Sequence, residues 1–249
     1  MATIRHLNHA PVIEAILGCQ ADVSMLWDSD KVRAGLALNF PDFTEVQEQR
    51  QFESQVLIEP GKEPETSTTV HPVGAFILRR ADHGAAVQVR RDGFAFSQLQ
   101  TYPGWEQFVA TALEQWAAFS RWLEVDTPFS VFIRFINRVS YPAEGFKLET
   151  YFERPPQSPP GSLWGLRSFR EHHVYVPEAG RFTVESVFSS LSEGNGGQPM
   201  DFLLDLTITP AQSLAETSDT IESLLPEIRT LKNRAFFSQF TEAGLEPYY

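Results

Sequence analysis

Residues 132–139 read FIRFINRV, the composition of a buried β-strand interrupted by Arg134, Asn137 and Arg138. Side chains alternate across a strand, so Phe132, Arg134, Ile136 and Arg138 share one face. Ile133, Phe135, Asn137 and Val139 share the other, which is apolar apart from Asn137. A strand with one apolar face and one charged face belongs in an antiparallel sheet covered on a single side. An equivalent strand opens the chain: in APVIEAIL (10–17) Glu14 lies between Val12 and Ile16. Pairing of these two strands would bring Glu14 across the ladder from Arg134 or Arg138. The reading is a polar seam cluster of Glu14, Arg134, Asn137 and Arg138. Removing one partner of a partly buried ion pair there would cost about 3–5 kcal/mol.

Outward from this strand the two halves of the sequence follow a common order. In the first half a strand at 10–23 is followed by a short helix at 29–40, with Val32, Leu36 and Leu38 facing inward. Strands at 51–60, 73–80, 85–91 and 94–100 come next, with a polar loop at 60–69 and a tight Asp92–Gly93 turn. Residues 102–125 form the clearest helix, since Trp105, Phe108, Ala112, Trp116, Phe119 and Leu123 recur at three- and four-residue spacing. The second half runs from the strand at 129–141 through a short helix at 146–153 to strands at 163–176, 181–191 and 200–210. A helical region at 218–241 closes it. Pro226 starts or kinks that helix, and Ile228, Leu231, Ala235 and Phe236 line its apolar face. Each half is thus written β-α-β-β-β-α, at 1–127 and 128–249. The expectation is a duplicated α+β unit forming one domain: a large antiparallel sheet with two long helices on one face.

Composition narrows the function classes. The chain has 249 residues, a net charge of −12, 20 phenylalanines and one cysteine, Cys19. Phenylalanine at this frequency suits a sheet-rich core. The acidic balance argues against general attraction to nucleic acid or anionic membranes. A single cysteine excludes an internal disulfide and a multi-cysteine zinc site. No stretch supplies the roughly 20 apolar residues that span a bilayer, and the N-terminus lacks a signal-peptide pattern. These features point to a cytoplasmic setting.

Recognisable catalytic patterns are missing. Adjacent His172 and His173 point to opposite faces of a strand, His6 and His9 lie near the terminus without partner carboxylates, and His71 and His83 are read as loop residues. GSLWG (161–165) has its serine beside the first glycine, so it cannot form a nucleophile elbow. EGNGGQ (193–198) lacks the lysine and helix of a phosphate loop and reads as a hairpin connection. PDFTEVQ (41–47) has glutamine where a metal-dependent nuclease would need lysine. Asp201 and Asp205 sit four residues apart on one strand face, about 13 Å, too far to share an ion. Neither a metal nor a cofactor is expected. Arg79, Arg80, Arg90 and Arg91 flank one hairpin and form a candidate basic patch. The simpler reading of such residues is solvated charge that discourages edge pairing.

Four blocks, APVIEAIL (10–17), DGFAFSQLQTYPGWEQF (92–108), FIRFINRV (132–139) and LKNRAFFSQFT (231–241), resemble a bacterial family of sporadically distributed proteins without an assigned activity. Phe135 stands where that family would carry tyrosine. The resemblance implies an accessory of mobile genes or antiviral defence, and it marks Glu14, Trp105, Arg134 and Asn137 as candidate residues. Taken together, the sequence is read as a non-enzymatic protein that works with a partner protein. One alternative is a small-molecule or nucleotide sensor with an anion site at the seam, built on Arg134, Arg138 and Glu14. Another is an enzyme with an unrecognised acid/base site. The C-terminal GLEPYY (244–249) is open to two readings, a docking tail or a cap on the core.

Overall fold

The computed structural model describes all residues except 1–6, 24–26, 58–64, 100, 158–167, 179, 192–197 and 218. Nearly all of the EGNGGQ connection, the GSLWG segment and the first half of the 60–69 loop fall in those gaps. Residues 65–69 belong to a strand and not to a loop.

Nine strands form one antiparallel sheet: β1 (Val12–Gln20), β2 (Glu45–Leu57), β3 (Glu65–Arg79), β4 (Ala85–Arg90), β5 (Gly93–Leu99), β6 (Ser130–Tyr141), β7 (Arg170–Tyr175), β8 (Phe182–Ser190) and β9 (Met200–Pro210). Their spatial order is β2-β3-β4-β5-β1-β6-β9-β8-β7. The strands carrying Glu14 and FIRFINRV are therefore neighbours at the centre. From that seam each half runs outward in the same order, closing strand first. The first half reads β-α-β-β-β-β-α: the four strands expected at 51–60, 73–80, 85–91 and 94–100 all form, as β2 to β5, so the common β-α-β-β-β-α formula undercounts this half by one strand.

Helices α1 (Ser29–Asn39), α2 (Trp105–Trp122), α3 (Leu148–Tyr151), α4 (Leu214–Thr217), α5 (Ile221–Phe237) and α6 (Glu242–Leu245) complete the fold. The long ones, α2 and α5, cover the face that displays Ala15, Leu17 and Cys19 of β1 and Val131, Ile133 and Phe135 of β6. On α2 the buried residues are Phe108, Ala112, Trp116 and Phe119, the stripe set by its helical spacing. Asp28 caps α1 by accepting bonds from the amides of Asp30 and Lys31, and Val32 and Leu36 turn inward. Leu38, expected beside them, is 84% exposed because two residues past Leu36 is the opposite side of the helix. Pro226 lies within α5 and does not start it; Thr220 and Ser223 form a reciprocal cap at the start instead.

Phenylalanine dominates the core. A second cluster under the far end of the sheet joins Tyr141, Phe152, Phe188, Phe202 and Phe240 with Phe236 and Leu245. The C-terminal residues belong to it. Leu245 is buried, Tyr141 donates to the Gly244 carbonyl at 2.9 Å, and the Tyr248 hydroxyl accepts from the Ser140 amide at 3.1 Å. Of the two readings of GLEPYY, the core cap fits most of the segment.

Gly93 shows why the Asp92–Gly93 turn needs glycine. Its φ is +144°, and a Cβ at this position would lie 2.1 Å from the Cys19 carbonyl oxygen of β1. The turn residues are Arg91 and Asp92, while Gly93 already pairs with Gln20 as the first residue of β5. Free backbone rotation and close approach are both required there.

Candidate functional site

The open face of the sheet holds the arginines that drew attention in sequence. The ladder sets Glu14 opposite Ile136, and Ile136 opposite Asp205. Arg134 reaches diagonally to Asp205 with a two-pronged contact, Nε to Oδ1 at 2.8 Å. Arg138 pairs with Asp201, which also accepts from the Ser140 hydroxyl. Burial pushes the Asp201 carboxyl up, but the bonds from Ser140 and Arg138 outweigh it and hold the group below its ordinary value. Glu14 forms no ion pair among the described residues, so the expected Glu14–arginine pairing is corrected. Aspartates on β9 take both arginines, Asp205 holding Arg134 through two nitrogens and Asp201 holding Arg138 through one.

Asn137 lies on the opposite, helix-covered face and is buried. Its amide nitrogen donates to the carbonyls of Leu204 at 3.0 Å and Phe135 at 3.3 Å. The sequence-derived cluster is thus split by the sheet: Glu14, Arg134 and Arg138 on one side, Asn137 on the other. The arginines of the first hairpin do not converge either. Arg80 binds Asp82 and Arg90 binds Asp92, each through two nitrogens. Arg79 contacts Gln47, and Arg91 is exposed at the far end of β4. With two of its four charges matched locally and the rest at opposite ends of a strand, the group is no concentrated basic patch.

Asn137 instead points to a site. A cleft of about 280 Å³ opens between the start of α2 and the second half of α5, over the seam. Residues 7–12 wall one side, Tyr102 to Glu106 another, and Arg229, Lys232, Asn233, Phe236 and Phe237 a third, with Asn137 below. The register shift between Val12 and Glu14 is a bulge, and it brings Val12 to the side of the sheet where Asn137 lies. Gly104, with φ +100°, turns the chain into α2 and leaves the cleft mouth free of a side chain.

The electrostatics of this cleft set it apart. The Lys232 amine sits 4.6 Å from the Phe135 ring centre and 5.8 Å from the Trp105 ring centre. Arg229, one turn earlier on α5, lies 5.8 Å from the same Trp105 ring and binds Glu106 of α2 at 2.8 Å. Lys232 has no acidic partner among the described residues. Burial, with the Arg229 charge adding to it, lowers Lys232 to about 8. The Tyr102 hydroxyl is buried without a hydrogen-bond partner among the described residues, and burial pushes its ionisation well above the ordinary tyrosine range. A buried polar group with no partner is unusual enough to call for an explanation.

Among the described residues no three His, Cys, Asp or Glu side chains come together as metal ligands, and no helix is long and apolar enough to cross a membrane. His172 contacts Glu185 at 2.8 Å, and His173 packs on Tyr175. Cys19 is buried, and burial raises its thiol pKa far above the usual range. Of the cleft residues, sequence reading had marked Asn137 and Trp105 and missed Tyr102, Arg229 and Lys232. One signal for Lys232 was available: it falls four residues from both Ile228 and Phe236, on the apolar stripe of α5. Comparison with known protein families and with curated proteins finds no match for this chain, so the family resemblance rests on the four sequence blocks alone.

Proposed function

We propose that the protein is a non-enzymatic binder of a small anionic molecule, held in the seam cleft. The observation that carries this reading is a buried Tyr102 hydroxyl lining the same cleft as Lys232, the first without a hydrogen-bond partner and the second without a counter-ion among the described residues. An anionic ligand would supply what both groups lack, a hydrogen-bond acceptor and a negative charge. Trp105, Phe236 and Phe237 offer apolar walls for the body of such a ligand. The volume is near the lower end of the roughly 300–1,000 Å³ typical of small-molecule sites. A single ring bearing a carboxylate suits it better than a nucleotide.

Thermal unfolding with benzoate, against inorganic sulfate as control, tests this directly. At about a hundredfold excess over its dissociation constant, a ligand specific for the native state adds about 2.7 kcal/mol. For a chain of this length the melting temperature should rise by roughly 5–10 °C, and Lys232→Ala should abolish the rise. Stabilisation by benzoate no greater than by sulfate would refute the reading.

A second observation favours docking of a protein partner. β3 pairs with β4 only from Ala75 to Arg79, so the rest of the β2–β3 ribbon projects past the sheet. Phe52 (64% exposed), Val56 (59%) and Val70 (54%) share one face of it. Isolated two-stranded ribbons are marginal in water, and a partner would cover this one. Native mass spectrometry of the chain purified from its own host should show a second protein at fixed stoichiometry. The double variant Phe52→Ser/Val70→Ser should lose it at an unchanged melting temperature. Equal association of the variant would refute this reading.

A further inference from the structure

We propose that Lys232 is a nucleophilic amine that condenses with the carbonyl group of a small oxo-acid in the seam cleft, forming an imine. The proposal rests on the small-anion reading and names the ligand's second group. Its basis is where the amine lies. Lys232 Nζ is set over the Phe135 and Trp105 rings, facing a cleft large enough for a second molecule. The charged groups around it are Arg229 on its own helix and Glu106 on α2, already bonded to each other. Tyr102 precedes α2 in the same wall, and β6 contributes only the uncharged Asn137. Among the described residues no carboxylate therefore holds Lys232 as an ammonium ion, and burial with the neighbouring Arg229 charge favours the neutral amine over the attraction of the ring faces for the cation.

Burial and the Arg229 charge leave about a tenth of this amine neutral at pH 7; an ordinary solvated lysine has less than about 0.1%. In the reaction the nitrogen lone pair attacks the carbonyl carbon. The carbonyl oxygen leaves as water, carrying both amine hydrogens, and a C=N bond replaces C=O. No oxidant or reductant is consumed. Tyr102 Oη, without a partner among the described residues, is available to hydrogen-bond the departing oxygen. Arg229 keeps donors beyond the one spent on Glu106, and these suit the carboxylate of an oxo-acid.

The test treats the whole chain with glyoxylate and sodium cyanoborohydride near neutral pH, which reduces any imine to a stable carboxymethyl-lysine. Peptide mapping then compares sites. Lys232 should be modified about tenfold or more faster than the exposed Lys31 and Lys147. Modification of Lys232 no faster than Lys147 would overturn the proposal, and this comparison needs no variant. Lys232→Arg keeps the positive charge but has no amine that can condense with a carbonyl, so it should lose the adduct. Fast labelling of Lys232 without any benzoate effect would support the nucleophile and refute the binding reading. Slow labelling with a clear benzoate effect would do the reverse.

Discussion

Phe135→Ala should lower the stability of the protein by about 3–5 kcal/mol, the range for large-to-small changes in a well-packed core. Phe135 is almost fully buried on β6, a central strand of the sheet. Its ring meets Tyr102 at 5.5 Å and 83°, Phe108 at 5.7 Å and 73°, and stacks near Trp105 at 6.2 Å. Each aromatic pair contributes roughly 0.5–1.5 kcal/mol beyond its buried area. The rings have few directions in which to collapse, since α2 and the sheet hold them from both sides. Urea unfolding monitored by tryptophan fluorescence would measure the loss, and the melting temperature should fall by roughly 10 °C. A loss under about 1.5 kcal/mol would mean that the site repacks and that the cleft floor is softer than its contacts indicate. The same variant removes the ring beneath Lys232, so benzoate stabilisation should weaken with it.

Lys232→Met should raise stability at pH 7 by up to about 3 kcal/mol, an uncommon direction for a substitution in a packed region. The sign follows from proton binding. Lys232 ionises at about 8 in the folded chain and near 10.4 when unfolded, so between those values the unfolded state binds more protons. The penalty from burying this amine is complete below pH 8 and vanishes as pH rises through about 10.4. The advantage of the methionine variant should shrink over that window. The groups facing Lys232 are Arg229, Glu106 and Tyr102. Tyr102, whose ionisation is raised by burial, contributes stability that is lost above about pH 10, and taking the difference between variant and parent cancels it. Denaturant melts of both proteins at several pH values between 6 and 10 would measure the trend. A pH-independent difference would show that Lys232 titrates normally. Stability gained at the expense of the benzoate effect would also fit a site that trades stability for binding.

Much of the local structure was legible in the sequence because its periodicity is local. FIRFINRV assigned Arg134 and Arg138 to one face and Asn137 to the other, and the described side chains lie on those faces. The spacing of Trp105, Phe108, Ala112, Trp116 and Phe119 placed α2 within a few residues of its ends. Shorter elements were less secure. Only Leu148–Tyr151 of the expected 146–153 helix is helical, since four residues form barely one turn. Leu38 was misplaced because a short amphipathic helix with alternating alanines and leucines allows more than one inward face.

The amino-acid sequence by itself determined the α+β class, the antiparallel sheet and the apolar faces of its strands and helices; that the glutamate- and arginine-bearing strands are neighbours was settled by the sheet order. Only the tertiary structure decided which acid each arginine meets. Asp201 and Asp205 on β9 share the alternation of Glu14 on β1, so pattern alone ranks them equally, and diagonal reach across the β6–β9 ladder selects the aspartates. The seam cleft was likewise decided by tertiary structure, since residues 7–12, 102–106 and 229–237 meet only once both long helices dock on the sheet. Local periodicity records which way each side chain faces along its own element. It does not record which distant segment will stand opposite, because that depends on strand register and helix packing across the whole chain.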